Sequence, residues 1–303
     1  MYQNIFTTWT KKGPVLHIWD DERGYLVIKH DRYAYAKSST GKHTSIFGDK
    51  LKRIRKWDEE EQDNLFEADI HPEMRTLIDL YVDSDEPSRG HRVVFFDIEV
   101  EMKGGFPNKD NPIQALTSIS LYDKTSDQMY ALVWDPHNKF TKLKDDSVEV
   151  QCYETEYELI QGFLLLMSML NPTIVSGWNT DLFDIPYLFN RMRLVVGEEM
   201  AKSLSPINQI MYREAQGIYK IAGVSSLDYL KLYRKFSMGD RPSYALDAIG
   251  ELEVGMKKIK YEGTLQDLYE QDITKYVEYN IRDVELLKQL DEKLGYIETA
   301  RAL

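Results

Sequence analysis

The sequence of 303 residues has one cysteine, no cluster of cysteine and histidine, and no long apolar run. The single thiol, Cys152, excludes an internal disulfide, and the missing cluster excludes a zinc site of the usual composition. A membrane helix needs about 20 apolar residues, whereas FLLLMSML at 163–170 is the longest run. The N-terminus carries no secretory signal pattern. We therefore predict a globular, cytoplasmic protein without a membrane partner, in which any metal ion is bound by oxygen atoms.

The chain also lacks a positive net charge. Its charge of −12 argues against indiscriminate nucleic-acid binding over the whole surface. The distribution is uneven, because residues 1–56 contain 12 Lys and Arg against 5 Asp and Glu, and residues 57–303 contain 26 against 45. The first segment is therefore basic and the remainder strongly acidic, which predicts parts with different partners.

Two breaks in the sequence indicate a domain boundary. The basic run KLKRIRK at 50–56 is followed at once by the acidic run WDEEEQD at 57–63. A polar stretch with proline and glycine, DSDEPSRG at 83–90, then precedes the first strongly apolar strand pattern. We predict an N-terminal domain at 1–88, β-rich, and a second domain at 89–303.

Strand and helix patterns alternate in the second domain. Apolar patterns predict strands at 93–100, 115–122, 129–134 and 172–178, and helical spacing predicts helices at 154–170, from about residue 185, and at about 271–293. Short connections between the first three strands predict an antiparallel meander, and the helix before the fourth predicts a parallel crossover. The expected fold is α/β, with a mixed sheet flanked by helices.

The strand pattern at 93–100 contains two acidic residues in VVFFDIEV. Because side chains alternate along a strand, Asp97 and Glu99 share one face with Phe95. Neighbouring carboxylates raise each other's pKa and cost stability unless a cation or solvent compensates. The pair therefore indicates either a cation site or an edge strand with a hydrated polar face.

Two further stretches contain acidic residues, one at a strand-to-helix junction and one on a helix face. The stretch SGWNTDLFDIPYLFNRM at 176–192 leaves a strand and enters a helix near Asp184. Functional sites of α/β sheets form at such strand-to-helix junctions. The alternative is that Asp184 only caps the helix. In YVEYNIRDVELLKQL at 276–290, Tyr279 and Asp283 are four residues apart, on one helix face. Both residues border an apolar stripe, which places them at the edge of a packed core. The alternative is that they lie on a solvated face of the helix.

Together, FDIEV, NTDLFD and YNIRD resemble exonuclease motifs I, II and III of the 3'-5' proofreading domains of family B DNA polymerases, of the type with a motif III tyrosine. The resemblance is closest to the polymerases of T-even-like bacteriophages and extends, in the same order, to LSPI, SSLDYLKLYRKF and RPSYALDAI. It covers roughly residues 70–300. It implies an RNase H-like exonuclease fold, hydrolysis of the 3'-terminal phosphodiester of single-stranded DNA ends and, for a phage protein, action in the host cytoplasm.

The resemblance also implies roles for individual residues. It implies two Mg2+ ions, for which Mn2+ substitutes: Asp97 bridges both ions, Glu99 and Asp283 complete the first site, and Asp184 holds the second largely through water. Tyr279 orients the attacking water. The implied substrate contacts are Phe106, Asn179, Phe183 and Tyr212.

Two of the implied substrate elements have plain structural alternatives. By analogy with the family, Phe106 in KGGFPN stacks on the terminal base of the DNA. The alternative is that Phe106 is an apolar loop residue that covers the edge of the sheet. Residues 211–223, MYREAQGIYKIAG, resemble the family's strand-separating hairpin or form a purely structural hairpin.

The sequence contains none of the polymerase motifs of the family. We therefore expect the polymerase half as a separate chain or as a missing segment. One alternative function is a catalytically silent exonuclease-fold module that binds polymerase or clamp, although four acids and the tyrosine are all present. Another is an RNA-binding regulator that acts through the basic, aromatic-rich residues 1–56, whose aromatics alternatively form the core of a small β-domain.

Overall fold

The computed structural model describes residues 1–58 and 63–302. The chain divides into two compact units, the N-terminal unit, which ends at Arg89, and the C-terminal unit, which begins at Gly90. Most of the acidic run at 57–63 lies outside the described residues. The domains predicted at 1–88 and 89–303 stay a prediction, because compactness shows neither independent folding nor a separate role.

The N-terminal unit is β-rich. Its elements are β1 (Tyr2–Thr10), β2 (Gly13–Asp20), β3 (Gly24–Lys29), β4 (Ala34–Lys37), β5 (His43–Thr44), β6 (Lys50–Ile54) and the helix α1 (Pro72–Tyr81). The first three strands form an antiparallel sheet in chain order, and β6 lies between β4 and β5 in a second antiparallel sheet.

The C-terminal unit is built on a six-stranded mixed sheet. Its strands are β7 (Val93–Val100), β8 (Leu116–Asp123), β9 (Gln128–Trp134), β10 (Val148–Tyr153), β11 (Ile174–Ser176) and β14 (Ser225–Ser226), and a separate hairpin consists of β12 (Ile210–Arg213) and β13 (Ile218–Ile221). The sheet order is β10-β9-β8-β7-β11-β14. Strands β7, β8 and β9 are antiparallel, and β11 is parallel to β7, which confirms the predicted meander and crossover.

Eight helices are described in the C-terminal unit, and capping residues explain where two of them begin. The eight helices are α2 (Glu156–Leu170), α3 (Asp184–Val195), α4 (Glu198–Lys202), α5 (Tyr229–Phe236), α6 (Leu246–Val254), α7 (Leu265–Gln271), α8 (Ile273–Leu294) and α9 (Tyr296–Ala302). Thr155 and Glu158 form a capping box at the start of α2. The long helix α8 begins after Asp272, which accepts a hydrogen bond from the Lys275 amide, and ends at Gly295 in the left-handed region (φ 63°). The three predicted helices are confirmed.

Apolar layers cover both faces of this sheet. On one face, Phe96 and Ile98 of β7 pack with side chains of α2 and α3. On the other face, Phe95 packs with side chains of α5, α6 and α8, among them Val277 and Val284. Asp97 and Glu99 point to this second face, so β7 aims both carboxylates at the buried side of α8. Within the described part of the chain, no helix combines the length and apolar composition that a bilayer-spanning segment requires.

Candidate active site

Three predicted site residues converge in the C-terminal unit. One carboxylate oxygen each of Asp97, Glu99 and Asp283 lies within 4.8 Å of the other two; we call these three residues the carboxylate group. Strand alternation places the first two on one face of β7, and α8 carries Asp283 across that face. The solvated-face alternative for Asp283 is excluded by its exposure of 2%.

Asp184 lies next to the carboxylate group but outside it. It is the first residue of α3, whose N-cap is Phe183 without a side-chain capping bond. The Asp184 carboxylate is buried, and the backbone amides of Asp184 itself and of Ile98 partly offset the rise in its pKa that burial causes. Its charge raises the pKa of both Asp97 and Glu99. Asp184 is thus close enough to act electrostatically on the carboxylate group.

Burial and mutual repulsion make the ionised form of these acids unfavourable. Burial, with the nearby charges of Asp283 and Asp184, raises the pKa of Asp97 well above its usual value and that of Glu99 to about 8. Burial also raises the pKa of Asp184 to about 7 and that of Asp283 above its ordinary range. A cation that entered the group would reverse these shifts, because it favours the charged carboxylates.

One lysine that the sequence analysis missed partly compensates this charge. The ammonium of Lys258 forms an ion pair with Asp283 and lies 3.4 Å from the Tyr279 hydroxyl. Burial lowers the lysine pKa, but the charges of Asp283, Tyr279 and Asp97 raise it further, so Lys258 is protonated. One positive charge therefore faces four acids. Nothing in MKKIKYEG distinguishes this lysine from its neighbours Lys257 and Lys260.

The donor set suits a hard divalent cation. Carboxylate oxygens are the ligands that Mg2+ and Ca2+ prefer. The Oδ1 atom of Asp283 is buried and has no hydrogen-bond partner among the described residues, although buried polar atoms are normally paired. An unpartnered acceptor beside two further carboxylates therefore fits a bound metal ion.

Asn280 is a second site residue that the sequence analysis missed. Its side chain is fully buried on α8, and its Nδ2 donates a 2.7 Å hydrogen bond to Oδ2 of Asp97. Its Oδ1 accepts hydrogen bonds from the hydroxyls of Ser118 (2.9 Å) and Ser120 (2.6 Å) on β8. The signal was present in the sequence, since Asn280 lies three residues before Asp283, on the same side of the helix.

The tyrosine of the third motif lies beside the carboxylate group. The Tyr279 ring packs edge-on against Tyr261, with centroids 5.4 Å apart. Burial raises the pKa of its hydroxyl, so the group stays protonated and can donate a hydrogen bond.

The four predicted substrate contacts lie on other elements of the unit. Phe106 is 83% exposed in the loop after β7, and Tyr212 on β12 has its ring 5.0 Å from that of Tyr219. Asn179 adopts a left-handed conformation (φ 66°), which asparagine tolerates. Phe183 packs on Tyr187 at 5.6 Å. The predicted hairpin is confirmed as a structure, while its role and all four contacts stay predictions.

The raised pKa of Glu99 predicts a pH-dependent stability. The folded pKa of about 8 exceeds the ordinary value of 4.5, so the folded state holds its proton more tightly. The free energy of unfolding of the metal-free protein should therefore fall as pH rises from about 5 to about 8. Glu99→Gln should flatten this decline in urea titrations with chelator, and the exposed Glu149→Gln should keep the wild-type profile. Equal slopes in Glu99→Gln and wild type would contradict the assignment.

Residues 46–249 match the family model described as DNA polymerase family B, exonuclease domain. This match includes Asp97, Glu99 and Asp184 and ends before Tyr279 and Asp283.

Three relatives extend the comparison. A DNA-directed DNA polymerase of Escherichia phage RB69 is 34% identical over 233 residues, 68% of this chain and 26% of that protein. The DNA-directed DNA polymerase of Enterobacteria phage T4 is 30% identical over 236 residues, with the same coverages. DNA polymerase 1 of Saccharolobus solfataricus is 29% identical over 213 residues, 65% of this chain and 22% of that protein. The chain thus spans about a quarter of the length of its phage relatives.

Proposed function

This chain belongs to the exonuclease-domain family of the family B DNA polymerases, and we propose that it removes nucleotides from the 3' end of DNA by metal-dependent hydrolysis. Its mixed sheet flanked by helices is the RNase H-like fold of that family. The observation that carries the proposal is the convergence of Asp97, Glu99 and Asp283, with one buried carboxylate oxygen unpartnered among the described residues. This activity corresponds to the proofreading part of a DNA polymerase.

We propose Mg2+ as the cofactor, two ions per site, with Mn2+ as a substitute. Asp97, Glu99 and Asp283 would hold one ion, and Asp97 with Asp184 the other, in part through water. When bound, such ions lower the pKa of an attacking water and offset the charge that develops on the attacking and leaving oxygens. The position of Asp184, outside the carboxylate group but near enough to raise the pKa of Asp97, supports this division.

The residues around the carboxylates have distinct proposed tasks. The Tyr279 hydroxyl, kept protonated by burial, orients the attacking water. Lys258 holds positive charge against Asp283, which keeps the acids together in the absence of metal. The buried carboxylate of Asp283 faces β7, and low solvent exposure there strengthens its interaction with Lys258.

Digestion of end-labelled DNA tests this function. With Mg2+ and a 5'-labelled single strand, we expect a ladder that shortens from the 3' end, with mononucleotides as the released product. Duplex ends should be digested more slowly, because unpairing the terminal base costs a few kcal/mol. Cleavage inside the strand, or equal rates on blunt duplex and single strand, would contradict the proposal.

Phe106 is proposed to stack on the terminal base, because its exposure of 83% leaves its ring accessible. Phe106→Ala should raise the Kd for single-stranded DNA by about fivefold or more, since base stacking contributes about 1–3 kcal/mol. The kcat should change little, because stacking binds ground state and transition state alike. Ile113→Ala, an exposed apolar change in the same loop, is the matched control. Equal Kd values for the two variants would refute stacking by Phe106.

We propose a polymerase half as the partner of this chain, present as a separate chain or as a segment outside this sequence. The greater length of the polymerase relatives supports this partner. The phage relatives also support action in the cytoplasm of a host cell. A catalytically silent module that binds polymerase or clamp is the less favoured alternative, because all four acids and the tyrosine lie in or beside one site.

A second candidate function, binding of RNA or DNA strands, concerns the N-terminal unit. Ile46 and Phe47 are 95% and 79% exposed, just before β6, and Lys50 and Lys52 on that strand are exposed and form no ion pair within the described residues. An exposed aromatic beside cationic side chains suits single-stranded nucleic acid. Some other members of the basic, aromatic segment are less available. Both Arg53 and Arg55 pair with Asp31, and Phe6 and Tyr33 are buried.

Salt titrations distinguish this surface from a solvated face. The variant Lys50→Ser/Lys52→Ser/Lys56→Ser should weaken binding to single-stranded RNA or DNA. It should also flatten the dependence of log K on log salt by about 0.7 for each phosphate that the variant no longer neutralises. The control is Lys142→Ser/Lys144→Ser, which removes two exposed charges from the loop before β10. An unchanged slope in the triple variant would show that these lysines bind no phosphate.

A further inference from the structure

A buried amide and two buried hydroxyls connect α8 to the strands that carry the acids. Asn280, Ser118 and Ser120 have no exposed surface. In the β7–β8 ladder, Ser120 lies opposite Asp97, and Ser118 lies opposite Glu99. All these side chains therefore project from the sheet face that α8 covers. Because Asn280, Ser118 and Ser120 are fully buried, water cannot replace a hydrogen bond that is broken among them.

The hydrogen-bond pattern specifies one orientation of the Asn280 amide. Its Oδ1 can only accept, so the hydroxyls of Ser118 and Ser120 both donate to it. The amide nitrogen then faces Oδ2 of Asp97 at 2.7 Å. A flipped amide would bring two acceptor oxygens together at that distance, which is unfavourable when Asp97 is ionised.

We infer that Asn280 is a positioning residue that orients the Asp97 carboxylate for metal binding, and that Ser118 and Ser120 orient Asn280. The hydrogen bond from Nδ2 restricts rotation of the Asp97 carboxylate and leaves its other lone pairs for a cation. This inference rests on the proposed function of the carboxylate group as a metal site. Asn280 acts through Asp97 and has no proposed contact with substrate.

A neighbouring hydrogen bond provides a control, because it stabilises the same region without contacting Asp97. The hydroxyls of Thr117 on β8 and Tyr276 on α8 lie 2.5 Å apart, in the same buried layer. Thr117 lies at the register shift between Glu99 and Val100. This pair also joins strand to helix, but neither side chain bonds to Asp97. Thr117→Val therefore removes a comparable buried hydroxyl without affecting the proposed orientation.

The test is a titration with Mn2+, followed by the electron paramagnetic resonance of the free ion, together with urea unfolding in chelator. Asn280→Leu should raise the Kd for Mn2+ by about 10–100-fold, the range observed when hydrogen bonds to metal ligands are removed. Ser118→Ala/Ser120→Ala should raise it by about tenfold, at the lower end of that range. Thr117→Val should lower the stability while its Kd stays at the wild-type value.

The outcomes separate this inference from the proposed function. If the wild-type protein binds no Mn2+, the proposed metal site fails, and the inference fails with it. If the wild-type protein binds Mn2+ and the folded Asn280 and serine variants bind it equally well, only the inference is overturned. Should Asn280→Leu fail to fold, the serine double variant decides the question by the same Kd comparison.

Discussion

Asp97→Asn combined with Glu99→Gln is expected to lower the rate of DNA cleavage by more than about 10³-fold. The reason is that the double change removes two proposed metal ligands, and the loss of one oriented hydrogen-bond donor in an active site already costs about 10²–10³. The substituted side chains keep the shape of the originals, so packing against α8 is preserved. Single-turnover cleavage of labelled single-stranded DNA with saturating Mg2+ measures the effect.

The same variant should be at least as stable as the wild-type protein without metal. It relieves the repulsion among closely spaced carboxylates and leaves the ion pair between Lys258 and Asp283 intact. Asp146→Asn/Glu149→Gln, which removes two exposed acids, is the control and should leave cleavage unchanged. Wild-type cleavage in the first variant would show that Asp97 and Glu99 are not needed for catalysis. Unfolding of that variant in chelator would show that they have a structural role.

Lys258→Met is expected to destabilise the metal-free protein by about 3 kcal/mol. Removing one member of a buried ion pair costs about 3–5 kcal/mol, and the lysine side chain is 30% exposed, which favours the lower end. The change leaves the acids without their compensating cation, so the loss should be largest above about pH 8, where Glu99 is ionised. Excess Mg2+ should restore stability, because binding to the folded state alone stabilises it.

Lys257→Met is the matched control for this prediction. Lys257 pairs with Glu251, and both side chains are half exposed, so its loss should change the stability little. Urea unfolding of both variants, in chelator and in Mg2+, measures the difference. The role of Lys258 as the compensating charge is refuted if the two variants are equally stable in chelator.

The parts of the fold that were predictable have strong local patterns. The apolar run of β7 and the long amphipathic pattern of α8 make both elements recognisable in the sequence. The edge strand β10 was missed although VEVQCY alternates apolar and polar residues, because such a short alternation is a weak signal. The N-terminal unit was predictable only as β-rich, since the pairing of β6 between β4 and β5 depends on contacts beyond the local sequence.

The site was predictable in its acids and not in their partners. Motif order identified Asp97, Glu99, Asp184 and Asp283, and the structure brings three of them within 4.8 Å of one another. Lys258 reaches Asp283 from a loop 25 residues earlier, a contact that no local pattern encodes. The ion pairs of Arg53 and Arg55 with Asp31 were likewise not predictable, because counting charges does not show which of them pair.

The most direct test of the metal-dependent exonuclease is a metal-addition experiment. The wild-type protein is incubated with 5'-labelled single-stranded DNA in chelator, and Mg2+ is then added in excess. We predict intact DNA before the addition and stepwise shortening from the 3' end after it. Shortening that proceeds in chelator, or DNA that stays intact after Mg2+ and then Mn2+ are supplied, would contradict the account.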